Sequence, residues 1–326
     1  MKMRRLGSTG PMVSAISLGT MGMSDVYGPA DRGESIATIH AGVNLLDTGD
    51  FYASGANEML VGEALKGRRD KVLVSVKFGG LRDPAGGFIG YDARPAAVKN
   101  FLAYTLRRLG VDHIDIYRPA RLDAAVPVED TVGAIADMIE AGYVRYVGLS
   151  EVGTDTIRRA VKVHPVVDLQ IEYSLLSRGI ETAILPVCRE LGVGITAYGV
   201  LTRGLLSGRW SREKATAGKD SRAHHRRFGG EHLPRNLALI EALKAIAATH
   251  KMSPAQAAIA WVLSRGDDIV PLLGSRTRAQ LAEALATLDF RLTADDLARI
   301  EAAVPLGSAS GDRYPAAAMA TLDSER

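Results

Sequence analysis

Two stretches decide the reading of this chain: Leu45-Leu46-Asp47-Thr48-Gly49-Asp50-Phe51-Tyr52 and Val72-Leu73-Val74-Ser75-Val76-Lys77-Phe78-Gly79. Each starts as a short apolar run, as a strand buried on both faces does, and ends in ionisable residues. A carboxylate, a phenol and an ammonium at the same ends of successive strands make a proton-transfer set. Lys77 is expected to depress the pKa of Tyr52, and Asp47 to hold Lys77 charged. Taken singly, Asp47 reads as a turn or N-cap residue, Tyr52 as loop packing and Lys77 as a snorkelling strand end. Their joint placement favours catalysis that adds a proton to an oxygen or removes one.

Outward from these stretches the pattern repeats. Strand-like runs fall at Ala15–Gly19, Asn44–Asp47, Val72–Lys77, Ile114–Tyr117, Tyr146–Ser150, Asp168–Ile171, Gly194–Ala197 and Ile269–Leu273. Helical periodicity lies between them, near Glu34–Ala41, Asn57–Leu65, Arg94–Leu109, Val128–Ala141, Thr154–Val161, Ile180–Leu191, Leu237–His250 and Arg276–Ala286. In Arg94–Leu109, for example, Val98, Leu102, Thr105 and Leu109 share one face. Strands alternating with helices are parallel strands joined by crossovers. A doubly wound sheet and a closed barrel both satisfy that alternation. Eight strands, 326 residues and no linker favour a single α/β domain folded as a (β/α)8 TIM barrel. Thr9-Gly10, between Met3–Leu6 and Val13–Ala15, predicts an N-terminal β-hairpin at the barrel bottom. Residues 211–234, rich in Arg, His and Gly, predict a long loop serving cofactor or substrate. Residues 305–326 form a tail with Tyr314-Pro315 as its anchor.

Composition narrows the function classes. The net charge of +3 is too small to argue for a nucleic-acid or membrane partner, though it suits an anionic small ligand if the positive charge is local. Cys188 is the single cysteine, which excludes an internal disulfide and points to a reducing, cytoplasmic setting. No apolar run follows the basic N-terminus, so neither a signal peptide nor a membrane span is expected.

Two motifs are decoys. Gly192-Val193-Gly194-Ile195-Thr196-Ala197 fits the relaxed dinucleotide fingerprint, but it leads from a helix into a strand, where the fingerprint needs the reverse order. A helix C-cap and tight turn explain it. His224-His225 with His232 read as a solvated basic loop rather than a metal site.

The motifs taken together resemble the aldo-keto reductase superfamily. The resemblance rests on Asp47 and Tyr52 with Asn57-Glu58, Val61-Gly62 and Ala64-Leu65, on the strand-end Lys77, and on Val147-Gly148-Leu149-Ser150. It continues through Leu169-Gln170-Ile171-Glu172-Tyr173-Ser174, Ala197–Gly208 and Pro271-Leu272-Leu273-Gly274-Ser275-Arg276, in family order over nearly all of residues 3–305. It implies NADPH as cofactor and a small-molecule aldehyde or ketone as substrate. By the same correspondence Tyr52 is the general acid, with Lys77 and Asp47 assisting. Thr20 and Met21 lie near the nicotinamide, Ser150 and Gln170 hold its carboxamide, and Tyr198 stacks on its ring. Leu201, Arg203, Gly204 and Leu206 line the pyrophosphate. Gly274, Ser275 and Arg276 form the adenosine-phosphate site, with Arg276 on the 2′-phosphate and Gln280 and Glu283 near adenine. Arg278 and a basic loop carrying Arg222, Arg226 and Arg227 are expected around Arg276. A guanidinium binds phosphate bidentately, which favours NADPH over NADH.

The chain departs from the family pattern at three points. Ala120 stands where a catalytic histidine is usual, Glu151 follows Ser150 where asparagine is common, and Ala284 replaces an adenine-contacting asparagine. The resemblance therefore leaves open an NADPH-binding regulatory protein that is catalytically weak or inactive, as in potassium-channel beta subunits. A Schiff-base lyase using Lys77 is a third reading, disfavoured by the cofactor-like segments. Oligomeric state and physiological substrate are not readable.

Overall fold

The computed structural model describes residues 1–211, 220, 222 and 225–326. Strands β1 (Met3–Arg5) and β2 (Met12–Ser14) pair antiparallel as the expected hairpin. Eight parallel strands then close a barrel: β3 (Ser17–Gly19), β4 (Leu45–Gly49), β5 (Leu73–Phe78), β8 (Ile114–Pro119), β9 (Val144–Ser150), β10 (Val166–Glu172), β11 (Gly194–Tyr198) and β12 (Ile269–Gly274), which pairs back onto β3. Between β5 and β8 lies a second hairpin, β6 (Gly80–Arg82) with β7 (Phe88–Tyr91).

The described helices are α1 (Arg32–Ile39), α2 (Ala56–Leu65), α3 (Pro95–Leu109), α4 (Val128–Glu140), α5 (Thr154–Val163), α6 (Ile184–Leu191), α7 (His232–Thr249), α8 (Pro254–Ser264), α9 (Arg278–Ala286), α10 (Ala294–Ala303) and α11 (Ala316–Met319). All eight expected barrel strands are present, with every end within two residues of its sequence reading. The second hairpin, α8, α10 and α11 are additional. Helix α8 lacks a legible period because seven of its residues, Ala255 and Ala257–Val262, are buried all round it. The Gly192 decoy resolves as a C-cap: Gly192 has φ 69° and ends α6.

Outward-facing strand residues such as Leu46, Val74, Val76, Tyr117, Leu149 and Ile195 pack beneath the helices in the main core. The hairpin fills the barrel bottom: Leu6 and Val13 are fully buried against Leu45, Ile116, Val167 and Val270. Above that apolar plug the interior becomes polar. Arg118, pointing inward from β8, is 1% exposed and pairs with Asp168 of β10 at 3.0 Å. It also donates to Ser75 Oγ at 3.0 Å. Thr196 of β11 donates to the other Asp168 oxygen. Gly148 of β9 makes room for the pair, since a Cβ there would lie 2.8 Å from Asp168 Oδ1 and 3.0 Å from Arg118 Nε. The barrel mouth thus stands on a buried charge pair.

A buried pair tolerates joint replacement better than loss of one partner. Asp168→Leu should therefore destabilise the protein by about 3–5 kcal/mol in urea unfolding. Adding Arg118→Met to that variant should recover much of the loss; a double variant as unstable as the sum of the singles would contradict this account.

Candidate active site

The site is built at the C-terminal ends of the strands, where barrels carry catalytic groups. Asp47 on β4 faces Ser75 across the β4–β5 ladder, and Gly49 faces Lys77. The alternation of strand side chains sends Asp47, Ser75 and Lys77 into the barrel together. Lys77 Nζ is ion-paired with Asp47 Oδ1 and donates to the Thr48 carbonyl at 3.1 Å. The other Asp47 oxygen accepts from Ser75 Oγ at 2.9 Å and from Gln170 Nε2 at 2.7 Å.

Tyr52 follows β4 in a tight turn in which Ala53 and Ser54 adopt left-handed backbone, φ 46° and 51°. Such strain in non-glycine residues is characteristic of functional turns. The turn lays the phenol ring over Lys77, whose Nζ is 5.1 Å from the ring centroid.

One expectation is corrected here. The Tyr52 pKa is moved well upward, first by burial and then by the Asp47 charge, with Tyr27 and Tyr314 adding and Arg121 opposing. The net shift is upward although Lys77 is close, because burial of the phenol and the Asp47 carboxylate dominate. Burial also draws Lys77 down, against the raising effect of Asp47. The outcome is a phenol that keeps its proton beside a paired ammonium.

The cofactor candidates divide into those that face the mouth and those already engaged. Ser150 is fully buried beneath Arg121, whose Nη1 lies 3.4 Å from its Oγ. Tyr198 donates to Glu151 Oε1 at 2.6 Å and lies 2.8 Å from the Tyr314 hydroxyl. Leu201 is half-buried, and Arg203 and Gly204 form a left-handed pair with φ 55° and 93°. Met21 opens a short turn after β3. Gly274 is exposed, Ser275 is buried beside it, and Arg276 hydrogen-bonds the carbonyls of Tyr27, Gly28 and Pro29 at 3.1–3.2 Å. Gln280 accepts from the Arg276 amide at 2.9 Å.

Thr20 turns away, donating to the Asp47 carbonyl and to Asn57 Oδ1. The Leu206 side chain lies in the core. Glu283 is bound by Arg209 at 2.6 Å and Ser253 at 2.7 Å.

The basic surroundings expected for Arg276 are dispersed. Arg278 pairs with Glu34 and Arg222 with Asp220, while Arg226 and Arg227 turn to the C-terminal tail at Asp312 and Gly311. Of the expected 211–234 loop, residues 212–219, 221, 223 and 224 lie outside the described residues; Arg226–Phe228 forms a short helical turn, and the loop ends earlier than expected because α7 begins at His232.

Sequence reasoning missed the clamp between the tail and the mouth. Glu151, itself at φ 54°, receives both Arg313 nitrogens at 2.9 and 2.6 Å and Ser324 Oγ at 2.7 Å. Burial acts to raise the Glu151 carboxyl, but Arg313 and Arg121 outweigh it and bring it down to about 2. Asp323 fastens the tail end to Gly153 and Thr156. The available signals were the unusual Glu151 and the tail arginine Arg313, informative only as a pair.

The family is settled by comparison with known proteins. The Aldo/keto reductase family model matches residues 15–305. This chain belongs to the aldo/keto reductase family. "Probable aldo-keto reductase 1" of Glycine max is 39% identical over 318 residues, covering 95% of this chain and 91% of that protein. The glycerol dehydrogenase AKR11B4 from Gluconobacter oxydans superposes with a TM-score of 0.85 at 25% identity, over 95% of this chain and 97% of its own. Aldo-keto reductase AKR11C1 from Bacillus halodurans, in its holo form, gives 0.76 at 27% identity, over 93% and 96% of the two chains. Members of this family are oxidoreductases acting through nicotinamide cofactors on small molecules. No helix among the described residues is long and apolar enough to cross a membrane. A cavity of about 1150 Å³ lies around the N-terminal hairpin, at the opposite end of the barrel from Tyr52, so a cavity by itself does not mark the chemistry here.

Asp50 yields a pH-dependent prediction. It is buried beside the site, accepts from the Gly79 amide at 3.2 Å, and leaves its other oxygen without a partner. Burial pushes its carboxyl from 3.8 up to about 7. A raised folded-state pKa favours folding at low pH, and the benefit is lost as pH rises toward that value. Asp50→Asn should therefore gain thermal stability over wild type as pH rises from about 4 to 7, by as much as about 4 kcal/mol, and the gap should level off above that. A melting-temperature gap independent of pH would refute it.

Proposed function

We propose that this chain is an NADPH-dependent carbonyl reductase of the cytoplasm, acting on an aldehyde or ketone, with Tyr52 as general acid and Lys77 and Asp47 assisting. The observation that carries the reading is the Asp47–Lys77 ion pair beneath the Tyr52 ring at the barrel mouth. Hydride addition to a carbonyl builds negative charge on its oxygen, so a donor held at that oxygen acts where the transition state needs it. Tyr52, kept protonated by burial, is that donor. As its proton leaves, the nearby ammonium offsets the phenolate charge, and Asp47 fixes the ammonium in place.

The residues present fit a phosphorylated dinucleotide. Among the described residues no carboxylate is ion-paired with Arg203 or Arg276, and open space surrounds Gly274. Arg203 with Gly204 and Leu201 would hold the pyrophosphate, and Arg276 with Ser275 and Gln280 the 2′-phosphate side. Ser150, Gln170 and Tyr198 would hold the nicotinamide, which when bound supplies the hydride. Thr20 and Asp47 would act by shaping the mouth, and Met21, Leu206 and Glu283 by supporting it.

Ala120 supports a second reading, a weak or inactive NADPH-binding regulatory protein. It is buried at the end of β8 and brings no donor to the oxygen.

The two readings separate in one assay, oxidation of NADPH followed by absorbance over a panel of aldehydes, ketones and diones. Turnover should fall by at least about 100-fold in Tyr52→Phe while NADPH affinity is kept. Tight NADPH binding without turnover on any substrate would favour the regulator. Arg276→Ala should weaken NADPH by about tenfold or more and NADH far less; equal weakening would remove the 2′-phosphate assignment.

A further inference from the structure

The charges around the mouth fall into pairs with few remainders. Lys77 is matched by Asp47, Arg118 by Asp168, Arg313 by Glu151 and Arg222 by Asp220. Arg227 lies 3.6 Å from Glu172. Arg203 and Arg276 are the cations assigned above to the cofactor's phosphates. Arg121 is left over. Its guanidinium donates to its own neighbour's carbonyl, Ala120 O, at 2.6 Å, and only at 3.4 Å to Ser150 Oγ and to the Tyr314 hydroxyl. The Tyr314 ring lies 5.8 Å from its Cζ. Among the described residues it has no carboxylate within ion-pairing distance. The carboxylate whose charge reaches it, Glu151, lies beyond ion-pairing distance and is already held by Arg313, Ser324 and Tyr198, so the guanidinium keeps its donors for a further anion.

Its position says which anion. Arg121 sits beside Ser150 and Tyr314, at the nicotinamide end of the site and directly after Ala120. The nicotinamide carries no negative charge, so the cofactor does not neutralise Arg121. Arg121 is close enough to Tyr52 for its charge to act on the phenol.

We propose that Arg121, steadied by Tyr314 from the tail, binds the carboxylate of a small 2-oxo acid, presenting its ketone to Tyr52. This rests on the reductase reading above. The C2 carbonyl carbon accepts the hydride from reduced nicotinamide, and the carbonyl π pair moves to oxygen. That oxygen takes the Tyr52 proton, which solvent restores; the products are a 2-hydroxy acid and oxidised nicotinamide. The guanidinium matches a carboxylate bidentately. A cation there also offsets the repulsion between the substrate carboxylate and the negative charge growing on the adjacent oxygen.

The test compares pyruvate with 2,3-butanedione, near-isosteres that differ in the carboxylate, in wild type, Arg121→Leu and Arg121→Lys. The ratio of kcat/KM for pyruvate to that for the diketone should fall on the order of 100-fold in Arg121→Leu, mainly through KM. Diketone reduction is the reference within each protein, and Arg121→Lys should recover part of the ratio. Oxamate, which is not reduced, gives a readout without turnover: it should bind the NADPH-saturated wild type measurably by calorimetry and lose that binding in Arg121→Leu. A ratio unchanged by the substitution, or oxamate affinity equal in both proteins, overturns the assignment while diketone turnover keeps the reductase reading. Failure to reduce either compound, or any other carbonyl, removes both.

Discussion

The site depends on one carboxylate. Asp47 holds Lys77 with one oxygen and receives Ser75 and Gln170 on the other, joining β4, β5 and β10 at one level of the barrel. Burying an ion pair without such extra bonds costs more than it returns. With them, every lone-pair direction that matters is used, and the ammonium has one place to be. Tyr52 then gains its setting from a strained turn that starts where β4 ends. The lower pair, Arg118 with Asp168, reaches the same network through Ser75, so the interior is a ladder of matched charges standing on an apolar plug.

That ladder explains how a chain with only Ala120 at the end of β8 can keep the family's architecture. Ala120 removes a side chain at the mouth, while the elements beneath it do not rely on that side chain. The tail adds a second set of ties. Arg313 and Ser324 grip Glu151, and Glu151 also receives the Tyr198 hydroxyl, so the departure from asparagine at 151 is matched by partners beyond residue 310. Two departures that look separate along the chain meet in space at the mouth.

The strands were legible because buried parallel strands write short apolar runs, and Asp47, Tyr52 and Lys77 because ionisable groups interrupt those runs at their ends. Helix α8 was not, since a helix covered on all sides carries no period. The inward aim of Arg118 was obscured by Pro119, although its register opposite Lys77 sets it. The direction of the Tyr52 shift was misjudged for a physical reason: sequence shows which charges are near, but not how deeply the phenol is buried. The clamp between Glu151 and Arg313 joins residues 162 positions apart, a separation that no local pattern encodes.

The central claim is that Asp47 acts on the reaction through Lys77 and Tyr52 as one unit. A double-mutant cycle of Asp47→Asn and Tyr52→Phe on the rate of NADPH oxidation measures this most directly. If the residues act together, the double variant loses no more than Tyr52→Phe alone. Losses that multiply would mean that Asp47 contributes independently of the phenol, and would contradict the account.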